Sequence, residues 1–387
     1  MNILGIETSC DECSAAVVVA GEKILSNVIA TQIPFHAPWN GVVPEIASRK
    51  HTEWIYAVTK EALDKAGLGV QDIDAVAVTN RPGLLGSLLV GLSFAKAFAW
   101  ARNIPFIAVD HMLAHLYAVQ LTENKEQLTD NMEQRTDNKE QRTENREQRT
   151  VNKEQFFEKG GKRAEYPFLG LLVSGGHTII CRADNFDDIT ILGTTIDDAA
   201  GEAFDKVAKF YNFGYPGGLV IDQMARNGDD GAFRFPMPSL HKGGFTAGPD
   251  GRSFQCHRYD VSYSGLKNAC LNQLDIFKLK NDYTNEDIAA SFQKTAVNIL
   301  LRALLNAADD TGITTIVAGG GVAANSLLRK RLAEQKHLKC VFPPLELCGD
   351  NAAMVAGIGY HYLIRGERSE LNVTASARVS GFKKRYP

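Results

Sequence analysis

The sequence has little net charge and no long uninterrupted apolar run. Its 387 residues carry 42 basic and 45 acidic side chains, which gives a formal net charge of −3. No global basic field draws nucleic acid to the protein, so local patches or other subunits must hold any such partner. The longest apolar stretch, Leu84 to Ala101, is interrupted by Ser87, Ser93 and Lys96. This pattern predicts a buried helix and argues against a membrane span.

Cysteines are few, and they are not arranged as a disulfide framework. The seven cysteines are scattered and odd in number, which indicates a reducing, cytoplasmic environment. Cys10-x-x-Cys13 is an isolated pair without a second pair at zinc-ribbon spacing, so we interpret it as structural and not as a redox or metal site. The first residues, Met1 to Glu7, lack a basic stretch followed by an apolar core. We therefore expect no signal peptide.

The length and a hydrophobic content of 44% fit two globular domains or one domain with two lobes. Two segments predict hairpins with small or polar residues at the turn. The first hairpin comprises Asn2–Glu7, a turn at Thr8–Glu12 and Ser14–Ala20. The second comprises Phe168–Val173, a turn at Ser174–Thr178 and a strand from Ile179. Because one hairpin stands at the beginning of each part of the chain, we predict two α/β halves.

Other predicted elements follow each hairpin in alternation. After the first come a helix at Val43–Ala66, a strand at Ala75–Thr79, a glycine-rich turn at Arg81–Ser87, a helix at Leu88–Ala101 and a strand at Pro105–Val109. After the second come a strand at Ile313–Ala318 running into Gly319–Asn325 and a helix, a short strand at Val341–Pro343, and a last long helix at Asn351–Leu363. The basic tail Phe382–Arg385 is expected to be exposed.

Three strand-to-glycine turns in the second half predict a nucleotide cleft. They are centred on Gly175, Gly217 and Gly320. Glycine lets backbone amides approach an oxyanion without a Cβ in the way. The helix after the last turn would add a partial positive charge at its N-terminus. The alternative is that these glycines only make tight turns.

The segment from Thr122 to Phe156 differs from the rest of the chain. It consists of five consecutive heptads in which nearly every position is polar. A coiled coil needs apolar residues at two positions of each heptad. We therefore predict a solvated insert, disordered or a fraying polar helix. A role as a tether is the alternative.

His111 and His115 are four residues apart in a predicted helix. This spacing places both imidazoles on one face, where a single metal ion can bind both. A zinc protease of the His-Glu-x-x-His type needs a glutamate after the first histidine as general base, and that position here is Met112. The pair therefore indicates a metal but argues against proteolysis, and a chance spacing is the alternative.

Taken together, the motifs resemble a known family, the tRNA threonylcarbamoyladenosine transferases of the bacterial TsaD group. This group lies within the actin/Hsp70/sugar-kinase (ASKHA) superfamily. The matching stretches are Gly5-Ile-Glu-Thr-Ser-Cys-Asp-Glu12, Gly41-Val-Val-Pro-Glu45, Ala47-Ser-Arg49, Pro82-Gly-Leu84, His111-Met-x-x-His115, Leu172-Val-Ser-Gly-Gly-His-Thr178, Asp197-Asp-Ala-Ala-Gly-Glu-Ala-Phe-Asp-Lys206, Tyr215-Pro-Gly-Gly218, Tyr263-Ser-Gly-Leu-Lys267, Gly320-Gly-Val-x-Ala-Asn325 and Asp350-Asn351. They run in family order from residue 1 to about 365.

The resemblance implies an α/β, two-lobed actin-like fold with a nucleotide and metal cleft between the lobes. We expect an N-terminal lobe at residues 1–118, an insert at 122–163 and a C-terminal lobe at 164–350. The C-terminal helix region 351–387 is expected to pack back on the N-terminal lobe.

The resemblance also implies site residues. His111, His115 and Asp350 would ligate one divalent metal, with iron(2+) favoured and zinc the alternative. The threonylcarbamoyl and phosphate groups of the substrate would contact Leu172, Val173, Ser174, Gly175 and Gly176. The nucleotide would be held by Asp205, Gly218, Asp222 and Asn325. Asp11 or Glu12, at the first hairpin tip, would take the amine proton.

Three positions depart from the family pattern. Archaeal and eukaryotic relatives carry a tyrosine where this chain has Leu172, so a phenolic metal ligand is excluded and the bacterial type is favoured. Cys13 stands where relatives often have a small hydroxyl residue, and we attach no function to it. The heptad insert stands where relatives have a short loop between the lobes.

The implied reaction transfers threonylcarbamoyl from threonylcarbamoyl-AMP to the exocyclic amine of adenosine 37 in tRNAs reading codons that begin with A. The implied partners are a TsaB-like paralogue subunit and a TsaE-like ATPase, while a separate synthase makes the donor. No membrane partner is expected. The rival hypotheses are a sugar or acetate kinase of the same superfamily, a non-catalytic regulator of this system, and the protease excluded by Met112.

Overall fold

The computed structural model describes residues 1–123, 164–240, 245–247, 253–255, 257–273, 283–378 and 383–384. Within these residues the chain forms fourteen strands and ten α-helices. The strands are β1 Asn2–Glu7, β2 Glu12–Val19, β3 Lys23–Thr31, β4 Ala75–Arg81, β5 Phe106–Asp110, β6 Thr122–Glu123, β7 Phe168–Val173, β8 Thr178–Ala183, β9 Ile189–Thr194, β10 Phe245–Ala247, β11 Ser253–Gln255, β12 Thr315–Gly319, β13 Lys339–Val341 and β14 Lys383–Lys384. The helices are α1 Ile33–His36, α2 Pro44–Ala66, α3 Leu85–Arg102, α4 His111–Tyr117, α5 Ala200–Tyr211, α6 Gly217–Ala225, α7 Ser264–Asn272, α8 Asn285–Thr311, α9 Ser326–Ala333 and α10 Ala352–Ile364.

Two six-stranded mixed sheets share one layout. The first has the order β5-β4-β1-β2-β3-β6 and the second β13-β12-β7-β8-β9-β14. In each sheet three consecutive strands form an antiparallel meander. A later strand pairs in parallel with the first strand of the meander, and the next strand pairs in parallel with that later one. This repeated α/β layout confirms the two predicted α/β halves. The lobe boundaries drawn from the sequence stay a prediction.

The first sheet is covered on both faces, which explains why its central strand is apolar throughout. In β1, Ile3, Leu4 and Ile6 are fully buried. One face packs on α2 and α3, and the other packs on α10. Gly5 permits the close approach of α10, because a Cβ there would lie 2.1 Å from the carbonyl oxygen of Ala352. Helix α10 therefore starts directly against the central strand.

The second sheet packs on a layer of helices in which α8 is the longest. Its 27 residues include sixteen buried ones. The helix begins at a capping box, in which the hydroxyl of Thr284 accepts from the Asp287 amide at 3.2 Å. The Asp287 carboxylate accepts from the Thr284 amide at 2.8 Å. Two orphan amides at the start of α8 are thus satisfied reciprocally.

Helix α4 lies where the two sheets meet. It follows β5 of the first sheet directly and contacts β7 and β12 of the second. Two glycines of the second sheet make room for it. A Cβ at Gly170 would lie 2.7 Å from the Leu116 side chain, and one at Gly319 would lie 2.7 Å from the carbonyl oxygen of His115. The helix that carries both histidines is thus held between the lobes.

Most predicted elements are present with shifted ends. Helix α3 begins at Leu85 rather than Leu88, and the strand before the glycine turn is Thr315–Gly319 rather than Ile313–Ala318. The predicted strand at Val341–Pro343 lies earlier, at Lys339–Val341, because proline has no amide hydrogen to donate to a sheet. Among the described helices, none combines the length and the apolar character that crossing a bilayer requires.

Of the predicted heptad insert, only Thr122 and Glu123 are described, as the short strand β6 beside β3. The rest of the heptads lies outside the described residues. The chain is described again from Ala164. The side chain of Gln120 donates from Nε2 to the carbonyl oxygen of Ala164 at 2.9 Å, and both residues are buried. The two ends of the insert are thus joined at one point, which we call the insert neck.

Candidate active site

His111, His115 and Asp350 are brought together although 239 positions separate the first from the last. Their ligand atoms all lie within 4.8 Å of one another. Nε2 of His115 lies 3.2 Å from Oδ1 of Asp350, and Nε2 of His111 lies 3.5 Å from the same oxygen. The two rings meet edge to face with centroids 4.5 Å apart. Both imidazoles therefore aim the same nitrogen at one carboxylate.

The end of β5 sets the position of the first histidine. Asp110 caps α4, and its Oδ1 accepts from the Met112 amide at 2.9 Å. Its other oxygen pairs with Nε of Arg81 at 3.2 Å. His111 is thus the first residue of a helix whose start is fixed by its own strand. Met112 is 1% exposed and packs in an apolar cluster, so its side chain does not face the cluster of ligand atoms.

The carboxylate of Glu7 contacts Nδ1 of His111, the ring nitrogen that does not point at Asp350. This carboxylate is fully buried at the end of β1, with Oε2 3.1 Å from Nδ1 of His111. It also accepts from the hydroxyl of Thr79 at 2.6 Å and from the amide of Ser9 at 2.6 Å. A carboxylate on the far nitrogen fixes the tautomer and orientation of a metal-binding histidine. Glu7 was not predicted as a site residue, although it is an acidic residue that ends an otherwise apolar strand.

Electrostatics keep the cluster charged. Burial disfavours the charged imidazole, but the carboxylates of Asp350 and Glu7 raise the pKa of His111 to about 9. Burial likewise opposes ionisation of Asp350, but His111 and His115 hold the pKa of that carboxyl well below its usual range. Burial and the neighbouring His111 lower the pKa of His115. A deprotonated carboxylate and a neutral imidazole are the forms that bind a metal, so His111 would release its proton when a metal binds.

The donor set fits a divalent metal. Two imidazole nitrogens and one carboxylate oxygen converge, and Asp350 is 19% exposed on its side chain, while His115 is 1% exposed. Two histidines and a carboxylate with open positions suit iron(2+) or zinc. The hydroxyl of Ser9 lies 3.3 Å from Nδ1 of His111 and 3.5 Å from Oδ2 of Asp350. It supports the cluster from the first hairpin tip.

At the tip of the second hairpin, a ligand can contact the main chain more readily than the side chains. Leu172 and Val173 are buried in the apolar core, so only their main chain can face a ligand. Ser174 closes the turn, because its hydroxyl accepts from the amide of His177 at 3.1 Å. A Cβ added at Gly175 or Gly176 would meet nothing within 4 Å. The two glycines therefore leave open space at the turn, into which an anion could approach the backbone.

His177 stands near the histidine pair, and the sequence analysis gave it no role. Burial, together with the imidazoles of His111 and His115, lowers the pKa of His177 to about 4. His177 is therefore a neutral imidazole on the second hairpin that feels the charges of the histidine pair.

Of the residues predicted to hold a nucleotide, Gly218 and Asn325 lie at helix starts in the second half, while Asp205 lies within α5 and Asp222 within α6. Oδ1 of Asp205 accepts from the amide of Gly217 at 2.8 Å at the start of α6. Asn325 caps α9, with its Oδ1 accepting from the Leu328 amide at 3.0 Å. No atom lies within 4 Å of a Cβ added at Gly218. Two helix starts and an open glycine form a polar cradle suited to a ribose and a phosphate.

Asp222 is buried, and its hydrogen bonds join three helices. Its Oδ1 accepts from Nε2 of Gln293 at 3.2 Å, and from the amide and hydroxyl of Ser326 at 3.0 and 2.7 Å. Its Oδ2 accepts from Arg226 at 3.1 Å. These bonds fix α6 against α8 and α9, next to Asn325.

Asp11 and Glu12, the predicted proton acceptors, differ in their surroundings. Oε1 of Glu12 accepts from the hydroxyl of Thr31 across the sheet at 2.9 Å. Burial, and then the Asp11 carboxylate, raise the pKa of Glu12 to about 8. Burial also raises the pKa of Asp11, and the Asp350 carboxylate adds to this effect.

Cys10 and Cys13 form no disulfide, and burial raises the pKa of Cys13 to about 12.

Solved structures share the fold. Component A of (R)-2-hydroxyglutaryl-CoA dehydratase from Acidaminococcus fermentans matches with a TM-score of 0.50 at 12% identity, covering 94% of this chain and 99% of that one. The HypF protein of T. kodakarensis matches with a TM-score of 0.53 at 12% identity, covering 94% of this chain and 48% of that one. At this identity the likeness concerns the fold, and it confirms the predicted actin-like architecture.

Relatives in sequence are much more similar. A protein of Treponema denticola, named tRNA N6-adenosine threonylcarbamoyltransferase, is 58% identical over 100% of this chain and 99% of its own length. Relatives with the same name in Treponema pallidum and Borreliella burgdorferi are 51% and 44% identical, and the matches span 95% and 96% of their lengths. The family pattern described as TsaD: tRNA N6-adenosine threonylcarbamoyltransferase matches residues 23–129 and 151–357. The chain belongs to the tRNA N6-adenosine threonylcarbamoyltransferase family.

Proposed function

We propose that this chain transfers a threonylcarbamoyl group from threonylcarbamoyl-AMP to the exocyclic amine of adenosine 37 in tRNAs reading codons that begin with A. The observation that carries the proposal is the buried cluster of His111, His115 and Asp350, whose ligand atoms converge within 4.8 Å, in a chain of the threonylcarbamoyltransferase family. We place the reaction in the cytoplasm, because tRNA is modified and used there.

One divalent metal, iron(2+) in preference to zinc, is proposed to bind His111, His115 and Asp350. When bound, it would polarise and orient the donor as a Lewis acid. The carboxylate of Glu7, 3.1 Å from Nδ1 of His111, keeps that ring turned toward Asp350. The donor set supports either metal.

The second hairpin is proposed to hold the reacting part of the donor. Ser174, Gly175 and Gly176 would lie around the threonylcarbamoyl carbonyl and the phosphate. The amides of the two glycines would face the negative charge that grows during transfer, while the amide and carbonyl of Ser174 are bonded to His177 and Gly201. Asp205, Gly218, Asp222 and Asn325 would place the adenosine part. Asp222 has its carboxylate bonded to three neighbouring side chains, so we assign it to fixing the cradle rather than to direct contact.

Transfer forms a bond between the adenosine amine and the carbamoyl carbon and breaks the bond from that carbon to the phosphate oxygen. AMP leaves with that oxygen, and the amine gives up one proton. Asp11 is the better candidate for receiving the proton. Glu12 has a pKa of about 8 and is mostly protonated at neutral pH, and its Oε1 accepts from the hydroxyl of Thr31.

The rival functions are less well supported. A sugar or acetate kinase would not need the histidine pair of α4. A non-catalytic partner subunit of this system would lack the metal trio. A protease would need a base at Met112, which is buried among apolar side chains.

Reconstitution tests the proposal directly. The chain is incubated with tRNA, threonine, bicarbonate, ATP and the donor synthase, with and without a TsaB-like paralogue and a TsaE-like ATPase, and the nucleosides are then analysed. We expect threonylcarbamoyladenosine only when the chain is present, and its loss with His111→Ala. A tRNA without this nucleoside under every combination would refute the proposal.

A further inference from the structure

Four residues from both halves form an exposed surface, which we call the mouth surface: Phe35, Trp39, Lys209 and Phe210. Phe35 is 42% exposed, Trp39 60% and Phe210 44%. Exposed apolar side chains that lie together mark a binding surface more often than single ones do. Phe35 and Trp39 lie on the segment that leads from β3 to α2, and the other two lie at the end of α5.

The segment that carries Phe35 and Trp39 is fixed beside the first hairpin tip. The amide of Gln32 donates to the carbonyl oxygen of Asp11 at 3.0 Å. The buried ring of His36 accepts from the amide of Val43 at 3.3 Å. The first bond fixes the segment to Asp11, the proposed proton acceptor, and the second joins two residues of the segment to each other. The exposed rings thus stand on a rigid base at the edge of the cleft.

Lys209 joins the mouth surface across the two halves. Its Nζ donates to the carbonyl oxygen of Trp39 at 3.4 Å, so the helix end of the second half lies against the segment of the first. Other lysines nearby are neutralised. Lys50 pairs with Glu53 at 2.6 Å, and Lys206 pairs with Asp198 and Glu202. Lys209 has no carboxylate partner among the residues that the structure describes, so its charge is available to a ligand.

We propose that the mouth surface holds the anticodon loop of the tRNA, with an unpaired base stacked on Trp39 and a phosphate against Lys209. The ring of Phe35 already contacts Nζ of Lys50 at 4.6 Å and the Trp54 ring at 5.6 Å, so it supports the surface and leaves the stacking to Trp39. This inference rests on the proposed function. Exposed aromatic rings beside an unpaired cation are the features that bind single-stranded nucleic acid. An adenosine whose amine enters the cleft beside Asp11 leaves its neighbouring bases at the cleft edge, where the rings stand. Stacking also explains how a chain of net charge −3 can bind RNA.

The test uses the full reconstituted system and steady-state kinetics with an unmodified tRNA transcript. Trp39→Leu keeps an apolar side chain but removes the aromatic face, and we expect the KM for tRNA to rise about tenfold. The kcat and the KM for the donor stay near wild type. Trp39→Phe restores stacking and recovers most of the affinity, which a merely structural role would not require. Trp100→Leu, at a tryptophan 75% exposed on α3, is the matched control and leaves the KM for tRNA unchanged.

Two direct binding measurements separate this inference from the proposed function. Binding of the same transcript to the assembled complex is measured without donor. The measured tRNA affinity therefore does not depend on whether the complex forms product. Lys209→Gln should reduce the slope of log affinity against log salt by about 0.7, as loss of one phosphate contact does in single strands. Equal tRNA affinity for wild type and Trp39→Leu overturns the inference. Failure of the Trp39→Leu chain to assemble with its protein partners overturns it too, because that result would assign the surface to a protein.

Discussion

At the scale of single residues, the site is built largely from main chain and from buried supporting groups. Gly175 and Gly176 present peptide groups to open space, while Glu7 and Thr79 orient His111 from the interior. The spacing of His111 and His115 was visible in the sequence. Glu7 was not assigned, because it reaches His111 only when the folded sheet places β1, β4 and β5 side by side.

The substitution Gly176→Ala should weaken donor binding without affecting the stability of the fold. No atom lies within 4 Å of the added Cβ, so we expect the free energy of unfolding to change by less than about 0.5 kcal/mol. The new methyl group would occupy the space of the donor and raise its KM roughly tenfold. Gly201→Ala is the control, because its Cβ would lie 2.6 Å from the Ser174 carbonyl oxygen and should destabilise the fold by about 1–3 kcal/mol. Unchanged donor kinetics in Gly176→Ala would remove the second hairpin from the donor site.

Glu12 should make stability depend on pH. Its pKa is raised from 4.5 to about 8 in the folded protein, so between these values the folded state binds more protons than the unfolded state. The free energy of unfolding therefore falls as pH rises through this window. Glu12→Gln removes this dependence, so its stability relative to wild type should increase from pH 5 to pH 8 in urea denaturation. Parallel curves for the two proteins would show that the carboxyl ionises normally.

At the scale of elements, the hairpins and glycine turns were predictable because alternation and glycine position are local signals. Helix α8 was not predicted, although the Thr284–Asp287 capping box marks its start. Its many buried positions leave a weak amphipathic pattern. The ends of β12 shifted because pairing partners set where a strand stops, whereas Pro343 accounts for the earlier end of β13. Asp350 was proposed as a ligand only through the resemblance, since nothing local links it to the histidines.

Helix α10 should position its metal ligand through its N-cap. Oδ1 of Asn351 accepts from the Met354 amide at 3.0 Å, and its Nδ2 donates to the carbonyl oxygens of Leu347 and Gly349. Asn351→Ala should cost about 1–2 kcal/mol of stability and weaken metal binding, because Asp350 is the preceding residue. Thr284→Ala removes the cap of α8 and should lower stability without changing metal affinity, measured by metal titration. Equal metal affinity in both variants would show that α10 does not position Asp350.

At the scale of the whole molecule, the three ligands link elements from distant parts of the chain. His111 and His115 lie on the helix held between the two sheets, and Asp350 precedes the helix that packs on the first sheet. A ligand that binds only the folded state stabilises it by about 2.7 kcal/mol when present at 100 times its Kd. We therefore expect iron(2+) or zinc to raise the melting temperature of the metal-free protein. His115→Ala should abolish the shift, and an equal shift in that variant would place the bound metal elsewhere.

Removing the heptads should leave the enzyme intact. The insert neck, where Gln120 donates to the Ala164 carbonyl at 2.9 Å, joins the two ends in buried surroundings. Deleting Thr122 to Phe156 shortens the connection without touching this bond. We expect little loss of threonylcarbamoyladenosine formation in the reconstituted assay. A large loss with a normally folded chain would assign the heptads a role in the reaction.

The insert neck has a practical consequence for handling this protein. Because the closure of a loop depends only weakly on its length, a chain held at its base can carry foreign sequence between two fixed points. A reporter domain or an affinity tag placed between Glu123 and Ala164 would leave both ends of the protein untouched. The same position would serve as a site for dividing the chain into two fragments that reassemble, each carrying one of the two six-stranded sheets.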